Sequence, residues 1–233
     1  MFKKSSRKAV RSKDENTALN FQIKEAYKTA RTNLVFSVIK DGCKKIVITS
    51  SYNSEGKTTS AVNLAIALAQ QMDIRVLLVD CDLRKPKVDR FFSLPASPGL
   101  TNVLGRINEL DEVIHKTKVE NLEVLCSGVI PPNPSELLAG EAMKELTAKL
   151  ESKYDYIIFD TPPINVVVDA LPLITDSDGV VLVVREGKST YPDLNKTLTT
   201  LKRVDAKVLG LIMNGVELKT GKEGYLYRYE NQA

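Results

Sequence analysis

The chain has 233 residues, with 33 basic and 29 acidic side chains for a formal net charge of +4, and its length suits one large α/β domain with a sizeable core. Six of the basic residues (Lys3, Lys4, Arg7, Lys8, Arg11 and Lys13) precede Asp14, the first acid, and the rest of the chain is slightly acidic, which excludes a basic nucleic-acid-binding body. The cysteines Cys43, Cys81 and Cys126 are isolated, which argues against zinc and disulfides and for a reducing compartment. No stretch approaches the roughly 20 apolar residues of a membrane span, and no apolar signal core is present, so the expectation is a soluble, cytoplasmic protein.

Along the chain, residues 1–16 read as a disordered basic arm, 17–219 as the folded domain and 220–233 as a flexible, tyrosine-rich tail. Ile23, Ala26, Tyr27, Ala30, Leu34 and Val38 recur at helical spacing and predict a helix from Thr17 to Ile39, ended by Asp41-Gly42. Short β-rich runs follow at Ile46–Thr49, Val76–Val79, Leu122–Leu125, Tyr156–Phe159, Val180–Val184 and Val208–Ile212. Helix-length segments lie among them at Thr58–Gln71, Pro134–Leu150 and Pro192–Val204. Several runs are apolar on both alternating faces, as strands covered by helices on both sides must be. The pattern predicts an α/β fold with a doubly wound, mainly parallel sheet. The Pro- and Gly-containing stretch Ser93–Asn121 is the least regular and reads as an excursion over the active edge, with His115 on the surface of a charged, helix-like part of it.

Directly after the first strand stands Ser51-Tyr52-Asn53-Ser54-Glu55-Gly56-Lys57-Thr58-Thr59, which matches the phosphate-loop pattern GxxxxGK[ST] except for Ser51 in place of the first glycine. A loop entering a helix N-terminus aims backbone N–H groups and a positive dipole end at one point. Ser54, Glu55, Gly56, Lys57, Thr58 and Thr59 are therefore the candidate nucleotide-binding residues. Gly56 permits close approach, Lys57 reaches the β- and γ-phosphates, and the Thr58 hydroxyl is a Mg²⁺ ligand. After the second strand, Asp80-Cys81-Asp82-Leu83-Arg84 puts two carboxylates and a guanidinium at the edge where open α/β sheets bind ligands. Asp160 ends another apolar strand, before Thr161-Pro162-Pro163, in the form of a Walker B carboxylate that holds Mg²⁺. An aspartate after a strand can also simply start a turn. All three motifs in this order point to ATP and Mg²⁺.

Asp80-x-Asp82-x-Arg84 resembles the Walker A′ motif of MinD/ParA-type P-loop NTPases, although the signature lysine of those ATPases is replaced here by Tyr52. From about residue 20 onward the sequence is similar to the bacterial tyrosine kinases of capsule and exopolysaccharide synthesis. The similarity is carried by Asp82-Leu83-Arg84-Lys85-Pro86, Gly99-Leu100-Thr101-Asn102-Val103-Leu104, Pro131-Pro132-Asn133-Pro134-Ser135-Glu136-Leu137-Leu138 and Asp160-Thr161-Pro162-Pro163. Three of the eight tyrosines, Tyr225, Tyr227 and Tyr229, crowd into the polar C-terminus. A packed aromatic strand is one explanation; the resemblance implies instead an autophosphorylation substrate.

The same resemblance implies that Glu25, Lys28 and Arg31 form a self-association motif, with Lys28 in place of the usual arginine, and that Asn214 contacts adenine; a solvated helix face and simple turn formation after Met213 are the respective alternatives. It further implies a catalytic set of Lys57, Asp80, Asp82 and Arg84, with Asp80 also near the metal. A ring-like homo-oligomer, a separate transmembrane activator that recruits the protein to the inner face of the membrane, and other tyrosine-bearing protein substrates complete the expectation. The competing classes are a MinD/ParA-like ATPase with water as nucleophile and a nucleotide-gated export scaffold.

Overall fold

The computed structural model describes residues 13–216, with side chains from Asn20 onward. Helix α1 (Lys13–Ser37) opens it, four residues before the expected Thr17, so residues 13–16 belong to this helix rather than to the arm. Then follow β1 (Lys44–Ser50), α2 (Lys57–Ala69), β2 (Val76–Asp80), α3 (Val88–Phe92), α4 (Leu100–Leu104), α5 (Leu110–Val113), β3 (Ile114–Lys116) and β4 (Leu122–Leu125). The remainder is α6 (Pro134–Ala139), α7 (Glu141–Glu151), β5 (Tyr156–Asp160), α8 (Leu171–Thr175), β6 (Gly179–Arg185), α9 (Tyr191–Arg203) and β7 (Val208–Asn214).

The strands form one sheet in the order β3-β4-β2-β5-β1-β6-β7, parallel throughout except for β3, which runs antiparallel to β4 at the edge. Alternation along the central strands divides the core. Ile46, Ile48, Ile158 and Val183 turn to the face where α1 and α2 pack through Leu34, Val38, Leu64 and Leu68. Val47, Ile157, Phe159 and Leu182 turn to the other, against Leu146 of α7, Leu173 of α8 and Leu201 of α9. Burying each such side chain contributes roughly 1.5–3 kcal/mol, so both faces need helical cover. The expected doubly wound sheet is present.

Two expectations are corrected. The helix expected over Pro134–Leu150 is two helices, because Gly140 is extended (φ −71°, ψ 160°) between α6 and α7. The bend lets Leu138 and Met143 both bury. Within the irregular stretch, His115 lies on strand β3 opposite Val124, not on a helix-like surface segment. It is half-buried, and its Nε2 has no hydrogen-bond partner among the described residues.

Helix α1 is fixed along α2 at two points. The Tyr27 hydroxyl donates to Ser60 Oγ (3.2 Å), and Arg31 Nη1 donates to the Ala67 carbonyl (3.1 Å). The C-terminal ends of β1, β2 and β5 open on one edge, and the chain's chemistry collects there.

Candidate active site

The loop from Ser51 to Gly56 leaves β1 and enters α2. Two of its residues are left-handed, Ser54 (φ 62°) and Gly56 (φ 97°). At Gly56 a side chain has no room, since a Cβ would stand 1.8 Å from Asn214 Nδ2. That amide donates to the Glu55 carbonyl (3.1 Å), so the last strand closes against the phosphate loop. Sequence spacing placed Glu55 in the loop but not its direction. Its buried carboxylate accepts from the Tyr52 amide (2.8 Å) and from the Ser189 hydroxyl, and so braces the loop from inside. Lys188, next to Ser189, donates to the Asn53 carbonyl.

Ser51 is not left-handed, so this position makes no demand for glycine. Its hydroxyl pairs with Thr197 Oγ1 of α9 (2.8 Å), which also accepts from Asn165 Nδ2 (2.9 Å) and donates to the Asp193 carbonyl (3.1 Å). Replacing Ser51 with Gly removes one buried hydrogen bond. The expected loss is about 1 kcal/mol of stability, read as a lower denaturant midpoint with an unchanged slope.

Beside the loop lie three carboxylates and one ammonium. Asp80 and Asp160 are register partners at the ends of β2 and β5. Lys57 Nζ lies 2.7 Å from Asp82 Oδ2, with both side chains nearly fully buried. Burial pulls the Lys57 ammonium down but is outweighed by Asp160, Asp82 and Asp80, which hold it above its ordinary value. Asp80 is fully buried and accepts from the amides of Asp82 (3.2 Å), Lys87 (3.0 Å) and Val88 (3.0 Å). Burial first and the neighbouring Asp160 second push its carboxyl up to about 7, against the backbone donors. Burial likewise pushes Asp160 up to about 6, opposed by Lys57 and the Thr58 hydroxyl.

Both Asp160 oxygens are buried without a well-formed hydrogen bond among the described residues, although the Thr58 hydroxyl lies near enough to favour the charged form. A buried carboxylate so poorly supplied with donors, beside the Thr58 hydroxyl at a helix N-terminus, fits a pair of groups that would hold a hydrated Mg²⁺. No cluster of three or more His, Cys, Asp or Glu among the described residues could hold a metal alone.

Arg84 is turned aside from this group. Its Nε and Nη2 donate to Asp169 Oδ2 (2.6 Å) and Oδ1 (3.1 Å), and the Ser135 hydroxyl donates to the same carboxylate. Asp169 and Ser135 carried no sequence signal of their own, although Ser135 lies in the Pro-rich run noted above. Glu25 and Lys28 pair with each other (2.7 Å) on exposed α1, and Arg31 is engaged with α2, so these three are apart from the carboxylates. Tyr225, Tyr227 and Tyr229 lie outside the described residues. No described helix is long and apolar enough to cross a membrane.

The family model described as "AAA domain" matches residues 43–212. The chain is 43% identical over 208 residues to the tyrosine-protein kinase YwqD of Bacillus subtilis (strain 168), covering 89% of this chain and 87% of that protein. Its fold is similar to the kinase domain of the Escherichia coli tyrosine kinase ETK, at a TM-score of 0.80 and 32% identity over 85% of this chain and 78% of that one. It is also similar to the septum site-determining protein MinD of Pyrococcus horikoshii OT3, solved with Mg-ADP, at a TM-score of 0.62 and 27% identity over 73% and 70% of the two chains. The phosphate loop against Asp80, Asp82 and Asp160, on a sheet shared with these proteins, makes the chain a member of the AAA-domain P-loop proteins and, within them, of the bacterial tyrosine-protein kinases.

Proposed function

We propose that the protein transfers the γ-phosphoryl group of ATP to tyrosines of its own C-terminal cluster, between subunits, and so regulates capsular or exopolysaccharide synthesis and export with a membrane activator. The carrying observation is the single buried ammonium of Lys57 among three carboxylates at the mouth of a phosphate loop. Phosphoryl transfer needs positioning and charge neutralisation above all. Backbone groups of Ser54, Glu55 and Gly56, with Lys57, Thr58 and Thr59, hold the phosphates, and Lys57 exchanges Asp82 for phosphate oxygens as nucleotide enters. Thr58 and the buried Asp160 carboxylate would hold Mg²⁺, with Asp80 alongside. When bound, Mg²⁺ neutralises charge on the β- and γ-phosphates.

The phenolic oxygen of the acceptor tyrosine bonds to the γ-phosphorus as the bond to the β–γ bridging oxygen breaks, releasing ADP. Asp80 or Asp82 takes the phenolic proton. Asp80 suits the task better, because a carboxyl pushed up to about 7 is matched to neutral pH, whereas Asp82 is occupied by Lys57. Asp80→Asn is expected to bind nucleotide while losing phosphotransfer about 10²–10⁴-fold. Full transfer by that variant, in single-turnover assays, sinks the assignment.

Asn214 stands at the phosphate loop, and we assign it to the adenine edge. Asn214→Ala should narrow the preference for ATP over GTP, measured by competition binding; an unchanged ratio removes this role. Glu25, Lys28 and Arg31 of α1 are assigned to a ring-like assembly of copies in the cytoplasm, recruited to the membrane by the activator, with other tyrosine-bearing proteins as further substrates.

The test of function is incubation with labelled ATP·Mg²⁺ and an activator segment, followed by peptide mapping. Label on Tyr225, Tyr227 or Tyr229 is the expected result. Free phosphate with no label on protein would favour instead a MinD-like ATPase, whose fold this chain shares.

A further inference from the structure

Charge at the site is out of balance. Three buried carboxylates, Asp80, Asp82 and Asp160, share one buried ammonium, Lys57, and a nucleotide brings more negative charge. The sequence offers Arg84 as a second cation, but its guanidinium is held by both oxygens of Asp169. Lys87 stands three residues further on, at the entry to α3. The turn that carries it winds around the carboxylates at the end of β2. The Lys85 amide donates to Asp82 Oδ1 (3.1 Å), and the amides of Lys87 and Val88 donate to Asp80 Oδ2 (both 3.0 Å). The backbone of Lys87 is thus pinned to a buried carboxylate, while its side chain is exposed and its ammonium makes no hydrogen bond or ion pair among the described residues. The field of that ammonium already enters the site. Burial pushes the Asp160 carboxyl up, and Lys87 opposes it together with Lys57 and the Thr58 hydroxyl. A point charge on a flexible stem with a fixed root can follow a moving anion. Lys57 and Arg84, each held by a carboxylate, begin from committed positions.

We propose that Lys87 is a further catalytic residue: in the loaded site its ammonium contacts the γ-phosphoryl oxygens on the solvent side, from which the tyrosine approaches. The proposal rests on the kinase function above and gives that reaction the second cation which the sequence pattern assigns to Arg84. The bond formed is still that from the phenolic oxygen to the γ-phosphorus, and the bond broken is that to the β–γ bridging oxygen. The phenolic proton still goes to the aspartate. Lys87 exchanges no proton. It offsets the repulsion between the phosphoryl oxygens and a phenolic oxygen that is becoming negative, in a place where solvent alone would otherwise have to do so.

The test compares Lys87→Met and Lys87→Arg in the full chain. Both keep the backbone amide that Asp80 uses, and both sit at an exposed position. In single-turnover assays Lys87→Met is expected to lose about 10²-fold in transfer to the chain's own tyrosines, and Lys87→Arg to stay within about tenfold of the parent. Calorimetry with Mg²⁺ supplies a readout without turnover. Lys87→Met should bind a non-hydrolysable ATP analogue about tenfold more weakly, with ADP affinity within about twofold, because only the analogue carries the γ-group. Transfer within about threefold of the parent, or an unchanged ratio of analogue to ADP affinity, overturns the proposal. Equal loss of both affinities makes Lys87 a support of the turn and also overturns it. If the parent hydrolyses ATP without labelling tyrosine, the kinase function fails, and the analogue-to-ADP ratio still decides whether Lys87 touches the γ-phosphoryl group.

Discussion

Lys57→Met is expected to lower phosphotransfer to the tail tyrosines by at least about 10³-fold. Methionine keeps most of the apolar stem, so the packing at the start of α2 survives while the charge goes. Two consequences follow from the geometry. The phosphates lose the only ammonium buried beside the loop among the described residues, in a site where low dielectric makes such a charge count most. In addition Asp80, Asp82 and Asp160 are left as three buried carboxylates without their shared cation, and they must take up protons or repel. The variant should therefore also unfold more readily, by less than the roughly 3–5 kcal/mol of a fully uncompensated charge, because protonation relieves part of it. Single-turnover transfer and thermal denaturation are the two measurements. Retention of more than about a tenth of the transfer would remove Lys57 from the mechanism.

The metal-free protein should lose stability as pH rises from about 5 to 8. Asp80 is pushed up to about 7 and Asp160 up to about 6 from an ordinary 3.8, in both cases chiefly by burial. The folded state thus keeps protons that the unfolded chain has released. The stabilisation they represent is complete below about pH 4 and is lost as pH passes through 6 and 7. Asp169 and Asp193 are shifted the other way, so their contributions are already complete above pH 5. Because Asp80 and Asp160 interact, they titrate as a pair, and the expected loss is roughly 2–4 kcal/mol. Denaturant unfolding in chelator at pH 5, 6.5 and 8 measures it. A flat or rising profile would mean that water reaches these carboxylates in the folded protein.

The parallel strands were legible because a strand covered on both faces must be apolar at consecutive positions, as Ile157, Ile158 and Phe159 are. Strand β3 was not. It has three residues, two of them His115 and Lys116, and exists through its pairing with β4. The break at Gly140 was hidden for a related reason: one glycine disfavours a helix by only about 1 kcal/mol, which tertiary packing readily overrides either way. In the site, Lys57, Asp80 and Asp160 could be placed because each stands at the end of a strand or the start of a helix, where chain position and spatial position coincide. Asp169 could not, because its partners lie 85 and 34 residues away and meet it only through the sheet order. The aim of Glu55 was equally invisible, since it depends on Ser189, which β6 carries back to the loop.

The hold of α1 on α2 gears two distant events together. Helix α2 is a rod of 13 residues whose first turn continues the phosphate loop, and Tyr27 and Arg31 grip it near its two ends. A neighbour that rolls or pulls α1 strains those two bonds and loads the loop through the rod. Conversely, nucleotide that stiffens the loop stiffens α1, the helix proposed above to gather copies of the chain. Work done at either end is returned at the other in equal measure, so under the proposed assembly this helix pair would serve as a transmission between assembly and occupancy.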